Sequence, residues 1–294
     1  MEDSIDSIQK IGRSVFDTYI NNKNSAESQE PDIIWHYTST EGLLGICETN
    51  EIWASNTNFL NDSSELKYGI RFFQNRINIL IDESESFFIK TIGQKLVHHL
   101  ENSAPDDTYV ASFTRNPDLL SQWKGYGSTT GSFSIGFDTR KIEKSFSRVR
   151  YLETEHDEAW GFFKKYFLDF CEEMRMGNLT SEYSIDMAAR FMKNTVELES
   201  TIIKHSAFSE ESEYRIWSLE SSLEAETRGL NLRNKNGALI PYFPINIENS
   251  LKCISKIIVG PHQNPEQQLI ALQKYFQSKG ADIEVELSSI PFLP

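Results

Sequence analysis

Three short clusters carry side chains whose types could do chemistry together. They are Trp35-His36-Tyr37-Thr38, the stretch Ser121 to Gly127, and the run Ser209 to Trp217, in which Glu213 opens the strand-like Glu213-Tyr214-Arg215-Ile216. A carboxylate such as Glu213 can stabilise positive charge developing on a sugar and accept a hydrogen bond from a sugar hydroxyl. The His36 imidazole can hold a hydroxyl or a phosphate oxygen and fix its pose. Trp123 and Tyr126 offer ring faces for stacking on a planar base, and Arg115 and Arg215 can pair with phosphate. Each cluster also has a plain structural alternative. His36 can be a strand-end histidine bonded to backbone and Tyr37 a core ring. Trp123 and Tyr126 can be a packed pair three apart on one helix face, and Glu210 to Glu213 a solvated turn. Arg215 suits a structural salt bridge as well as a ligand.

Elements must position these groups. A strand is expected to open at Ile33 and to end near Tyr37. Thr38 and Glu41 have capping-box spacing, which makes Thr38 a helix cap before it is a ligand, and Leu43, Leu44, Ile46 and Cys47 give the short helix that follows its apolar face. A second strand, Glu51 to Asn56, leads to a turn at Asn61, Asp62 and Ser63, then to two helices. Tyr109 to Arg115 and Gly131 to Asp138 read as strands, the second alternating Phe133, Ile135 and Phe137 against small residues. Long helices are expected over 157–176 and 180–206, a helical insertion at about 156–206. Further strands follow at Glu213, at Leu239-Ile240-Pro241 and at Ile254, then a helix after Pro265 and a last strand from Ala281. Residues 1–20 form an amphipathic helix with Ile5, Ile8, Ile11, Val15 and Phe16 on one stripe, and 21–30 a polar linker. The class is α+β, with 1–30 as helix and linker and 31–294 as one domain.

Other chemistries find little footing. The six histidines lack HExxH or HxH spacing, and neighbours such as His98 and His99 point about 100° apart on a helix, so no metal is expected. The glycines around Gly125 precede a strand, not a helix, and no Walker ending or GxSxG elbow occurs. A net charge of −14 argues against broad non-specific binding to a nucleic-acid backbone. Scattered Cys47, Cys171 and Cys253 suit free thiols in a reducing compartment. With no apolar run near 20 residues and no signal-like N-terminus, a cytoplasmic protein without membrane contact is expected.

Read in order, "WHYTSTEGLLGI", "IWASNTNFLNDSSE", "SFTRNPDLLSQWKGYG", "GSFSIGFD", "FSEESEYRIW" and "IIVGP" resemble a widespread bacterial domain family of unknown function. The resemblance runs over about residues 33–262, with "FLND" in place of that family's contiguous Phe-Asn-Asp. That family is similar in turn to ADP-ribosyltransferase-fold proteins, among them DarT-type DNA-modifying toxins and RNA 2′-phosphotransferases. The resemblance implies a split central β-sheet core with helical insertions. It also implies NAD⁺ as substrate, with Glu213 and His36 catalytic and an NAD⁺ site lined by His36, Tyr37, Thr38, Arg115, Trp123, Tyr126 and Arg215. The implied activity is ADP-ribosyl transfer to a macromolecule, protein or nucleic acid, in a toxin or anti-phage defence setting with an antitoxin or defence-system partner. The alternatives are NAD⁺ hydrolysis in the same cleft and an inactive module that senses a nucleotide or a partner.

Overall fold

The structure, a computed structural model, describes residues 2–26, 31–59, 63–103, 105, 107–126, 131–219, 230–235 and 237–291. The expected turn at Asn61 and Asp62 lies outside them. Contacts group the chain into two compact units, one of residues 29–56, 109–149 and 208–294, the other of 1–28, 57–108 and 150–207.

The first unit is built on strands β1 (Ile33–Ser39), β2 (Glu51–Asn56), β3 (Thr108–Thr114), β4 (Ser132–Asp138), β5 (Ser147–Arg148), β6 (Glu213–Leu219), β7 (Asn231–Lys235), β8 (Ala238–Asn246), β9 (Ile254–Val259) and β10 (Glu284–Leu287). They form one 10-stranded sheet in the order β10-β9-β4-β1-β3-β2-β8-β7, with β6 pairing β3 and β5. The registered pairs are antiparallel except β9 with β10. Alternation explains the faces. Ile34 faces the same way as its cross-strand neighbour Phe137, and both are fully buried with Ile135 and Ile257 in the main core. Trp35 and Tyr37 point to the opposite face, where they pack with Trp123 and Ile258.

The middle of the sheet is where regular pairing stops. β1 and β4 are in register from Ile33↔Asp138 to Ser39↔Ser132. β1 and β3 share only Trp35↔Thr114. The sheet therefore divides into a β10-β9-β4-β1 half and a β3-β2-β8-β7 half whose facing strands are in register at one residue pair.

One helix of this unit follows a capping signal that is shifted by one residue. Helix α2 (Thr40–Thr49) is capped by Ser39, whose Oγ accepts from the Gly42 N–H at 3.2 Å. The expected cap, Thr38, is still inside β1 and shares the face of His36. Asn50 ends α2 in the left-handed region (φ 57°), a conformation asparagine tolerates, and the chain turns directly into β2. Helix α5 (Leu120–Tyr126) carries Trp123. The short α8 (Ser250–Cys253) precedes β9, and α9 (Pro265–Ser278) begins at its proline.

The second unit is helical: α1 (Glu2–Ala26), α3 (Ser63–Glu83), α4 (Phe87–Asn102), α6 (Glu153–Met176) and α7 (Glu182–Ser200). Phe73, Ile92, Leu96, Phe163, Phe170 and Met192 are fully buried in its core. α1 runs six residues past the expected end at 20, through part of the expected linker. Its last turns are held by tertiary contact: Lys23 Nζ lies 2.6 Å from Glu199 Oε1, both side chains buried. That pairing overrides the turn propensity of Asn21-Asn22. Among the described residues no helix is long and apolar enough to cross a membrane.

Candidate active site

A cleft opens at the division of the sheet. One wall comes from β1 and α2 with His36, Thr38 and Gly42, and the other from β2 and β7 with Glu51, Trp53 and Arg233. The same place in the fold that loses ladder hydrogen bonds thus gains a concave, polar surface.

His36 bridges the division. Its Nδ1 lies 2.9 Å from the Ser112 carbonyl oxygen of β3. A carbonyl can only accept, so Nδ1 carries the proton and Nε2 is left as an acceptor. Burial, with the Arg233 charge acting the same way, lowers its pKa from the usual 6.5 to about 4 against the opposing pull of the Ser112 carbonyl. The ring is therefore neutral at pH 7. It offers a lone pair rather than a charge.

Thr38, two residues on, lines the same wall. Its Oγ1 sits so close to Gly42 that a Cβ built there would lie 1.9 Å from it. Only glycine lets this hydroxyl occupy its position, and a β-branched side chain has few other rotamers to adopt. Gly42→Ala should therefore leave the thermal midpoint within a few degrees, because alanine favours a helix by about 1 kcal/mol over glycine. It should push Thr38 out of place and weaken ligand affinity, measured by calorimetry.

The facing wall is aromatic and charged. Trp53 stacks on Tyr242 with ring centroids 4.5 Å apart and an interplanar angle of 28°. Arg233 is held by a hydrogen bond from Nη2 to Ser55 Oγ at 2.6 Å. Burial, then the Glu51 carboxylate, raises the Tyr242 phenol pKa, while Arg233 opposes them.

The residues singled out from the sequence are distributed more widely. Tyr37 lies on the other face from His36; its hydroxyl donates to the Asn116 carbonyl (3.0 Å) and accepts from the Leu119 N–H (2.9 Å), and burial raises its pKa. Its ring meets Trp123 edge-on at 4.6 Å. Trp123 is 1% exposed, and its Nε1 donates to Asp118 Oδ1 at 2.6 Å. Asp118 also accepts from Ser288 and from the Ser289 backbone and hydroxyl, so this cluster fastens α5 to the segment after β10. Tyr126 ends α5, and its side chain lies outside the described residues. Arg115 is exposed and stacks over Tyr214 at 5.3 Å.

Glu213 and Arg215 share a face of β6, as their spacing of two requires. Arg215 Nε and Nη2 donate to the two Glu213 oxygens at 2.7 and 2.9 Å, with both residues buried. This pair reaches the sheet at the same end of β3 as His36: Arg115 N–H donates to the Ser212 carbonyl, and Thr114 Oγ1 to the Glu211 carbonyl. So His36 bonds to Ser112 of β3, while Glu211 and Ser212, just before Glu213, bond to Thr114 and to Arg115 beyond the end of that strand. Of the implied NAD⁺ residues, the cleft itself collects only His36 and Thr38.

Glu51, Trp53 and Arg233 were not anticipated. Glu51 and Trp53 sit at alternate positions of a strand that was recognised, but alternation alone does not mark which face meets a cleft. Arg233 lies in β7, Asn-Leu-Arg-Asn-Lys, whose polar residues give no strand pattern. Among the described residues no group of three or more His, Cys, Asp or Glu could hold a metal ion.

The model of one family, described as protein of unknown function (DUF2971), matches residues 122–216. The match takes in Trp123, the Ile135-Gly136-Phe137 strand and the Glu213–Arg215 pair. It is narrower than the expected 33–262 and leaves His36 outside. No curated protein and no solved structure matches the chain.

Proposed function

We propose that the cleft at the sheet division binds NAD⁺ and that the protein transfers ADP-ribose to a macromolecular acceptor. The observation that carries this reading is His36: a neutral imidazole, fixed by one nitrogen to the Ser112 carbonyl and presenting the other as an acceptor. Ribose hydroxyls are donors, and a fixed acceptor holds a sugar in one pose at small entropic cost. Departure of nicotinamide breaks the N–C1′ bond, with the electron pair leaving on nicotinamide and positive charge spreading over the ribose. Glu213 is the carboxylate proposed to face that charge. Arg215 holds the group rigid through a hydrogen bond to each of its oxygens. The acceptor's nucleophile then bonds to C1′ and loses its proton. Thr38 is proposed to hold NAD⁺ beside His36, and Arg115, exposed at the same end of β3, to meet the pyrophosphate.

The test is incubation of the protein and a cell extract with NAD⁺ labelled in its ADP-ribose part. Label on protein or nucleic acid is the expected result and identifies the acceptor. Label released only as free ADP-ribose makes the cleft a glycohydrolase. Absence of NAD⁺ binding by calorimetry overturns both.

A further inference from the structure

The wall opposite His36 has a composition of its own. It presents an aromatic ring backed by a second ring, a guanidinium and a carboxylate within one cleft. Register places them together. Trp53 pairs with Pro244 and Ser55 with Tyr242, while Arg233 pairs with Ile240 and Asn231 with Tyr242, so Trp53, Ser55, Tyr242 and Arg233 share one face across β2, β8 and β7. Stacking on Tyr242 fixes the plane of Trp53, and the bond to Ser55 fixes the end of Arg233.

These groups match three parts of one ligand class. A flat ring face suits a nucleobase. A held guanidinium suits a phosphate. A site built for phosphate alone gains nothing from a carboxylate beside it. A ribose does, because its vicinal hydroxyls are donors that a carboxylate accepts, as acidic residues do in dinucleotide folds.

We propose that Glu51, Trp53 and Arg233 form a ribonucleotide subsite that takes the adenosine-phosphate half of the substrate: base on Trp53, phosphate on Arg233, ribose hydroxyls on Glu51. The inference rests on the NAD⁺ reading for its placement of the other half. The reacting ribose belongs with His36 and Glu213, so the opposite wall of Glu51, Trp53 and Arg233 receives the end that does not react. The subsite selects ribose over deoxyribose, since a deoxyribose leaves the carboxylate without one of its donors.

Calorimetry with AMP, deoxy-AMP and nicotinamide mononucleotide tests this on the full chain. AMP should bind, and both the 2′-deoxy and 3′-deoxy forms should bind about 10-fold or more weakly, in line with loss of a hydrogen bond to a charged group. Arg233→Met should weaken AMP by about 10- to 100-fold, and Trp53→Leu by about 10-fold. Glu51→Gln should bring the ribose preference toward one. Thermal midpoints accompany each variant; if Trp53→Leu unfolds, Trp53→Phe should fold and bind AMP a few-fold more weakly. Equal binding of AMP by wild type and variants overturns the subsite, as does equal affinity for ribose and deoxyribose forms. Binding of nicotinamide mononucleotide in place of AMP, with the same sensitivity to the variants, overturns the half assigned to it. The two proposals fail separately. Loss of NAD⁺ binding with AMP binding intact removes the NAD⁺ reading, while variant-insensitive AMP with NAD⁺ transfer intact removes only the subsite.

Discussion

His36→Ala should lower turnover of NAD⁺ by about 100- to 1,000-fold, the range for removing one preorganised polar group from a reacting centre. The loss follows from the single bond that orients the ring. With Nδ1–H committed to the Ser112 carbonyl, Nε2 has a fixed direction, and no neighbouring side chain in the cleft duplicates an uncharged nitrogen acceptor. His36→Gln, which keeps an acceptor on a longer and freer side chain, should recover part of the activity. The pH profile distinguishes this role from a structural one. Because the ring's pKa lies at about 4, affinity for NAD⁺ should stay level from pH 8 to about 5 and fall only below that, with no inflection near 6.5. Stability carries the complementary signature. Between pH 6.5 and 4 the unfolded chain binds a proton at this residue that the folded chain does not, so stability rises with pH across that window and falls on acidification. The lowered value corresponds to up to about 3 kcal/mol, reduced by the ring's partial exposure, and His36→Ala should flatten that part of the slope. An affinity that drops with a midpoint near 6.5, or a stability slope unchanged in His36→Ala, would show that the ring titrates as an ordinary surface histidine.

The sheet was legible where side chains alternate against a core. Phe133, Ile135 and Phe137 mark β4, and the Ile33-Ile34 start marks β1, because hydrophobic burial imposes a period of two on such strands. The capping signal was also present but shared between adjacent hydroxyls. Thr38 and Ser39 both precede α2, and Ser39 is the cap because β1 stays paired with β4 through Ser39 itself, so that the helix begins only at Thr40. Trp123 shows the converse limit. Its spacing to Tyr126 fits a ligand wall and a packed face equally, and the hydrogen bond to Asp118 that settles its place comes from a loop contact no periodicity reveals. The second wall was illegible for a stronger reason. It depends on β7 and β8 returning beside β2 from some 190 residues downstream, and on Asn231 to Lys235 forming an edge strand that needs no apolar side chains, since its partner β8 supplies the ladder.

Arg215→Met should be the most destabilising single change at the candidate site, by about 3–5 kcal/mol, because it removes the guanidinium from a buried carboxylate. Arg215 and Glu213 are 4% and 5% exposed, so water cannot substitute freely for the lost partner. Glu213→Gln should cost less, since an amide oxygen still accepts from the guanidinium. The double variant Glu213→Gln/Arg215→Met leaves no charge in the pair and should regain much of the stability lost in Arg215→Met, as apolar or neutral replacements of buried ion pairs do. Chemical denaturation of the four proteins measures these differences directly. Turnover then separates the two uses of Glu213. If its carboxylate faces the ribose, Glu213→Gln loses about 100-fold or more in kcat while it still folds, and the double variant recovers stability without recovering activity. That split is the expected result. Recovery of both together would make the pair a structural ion pair within β6, and would leave Glu51 as the carboxylate that the cleft offers to developing charge.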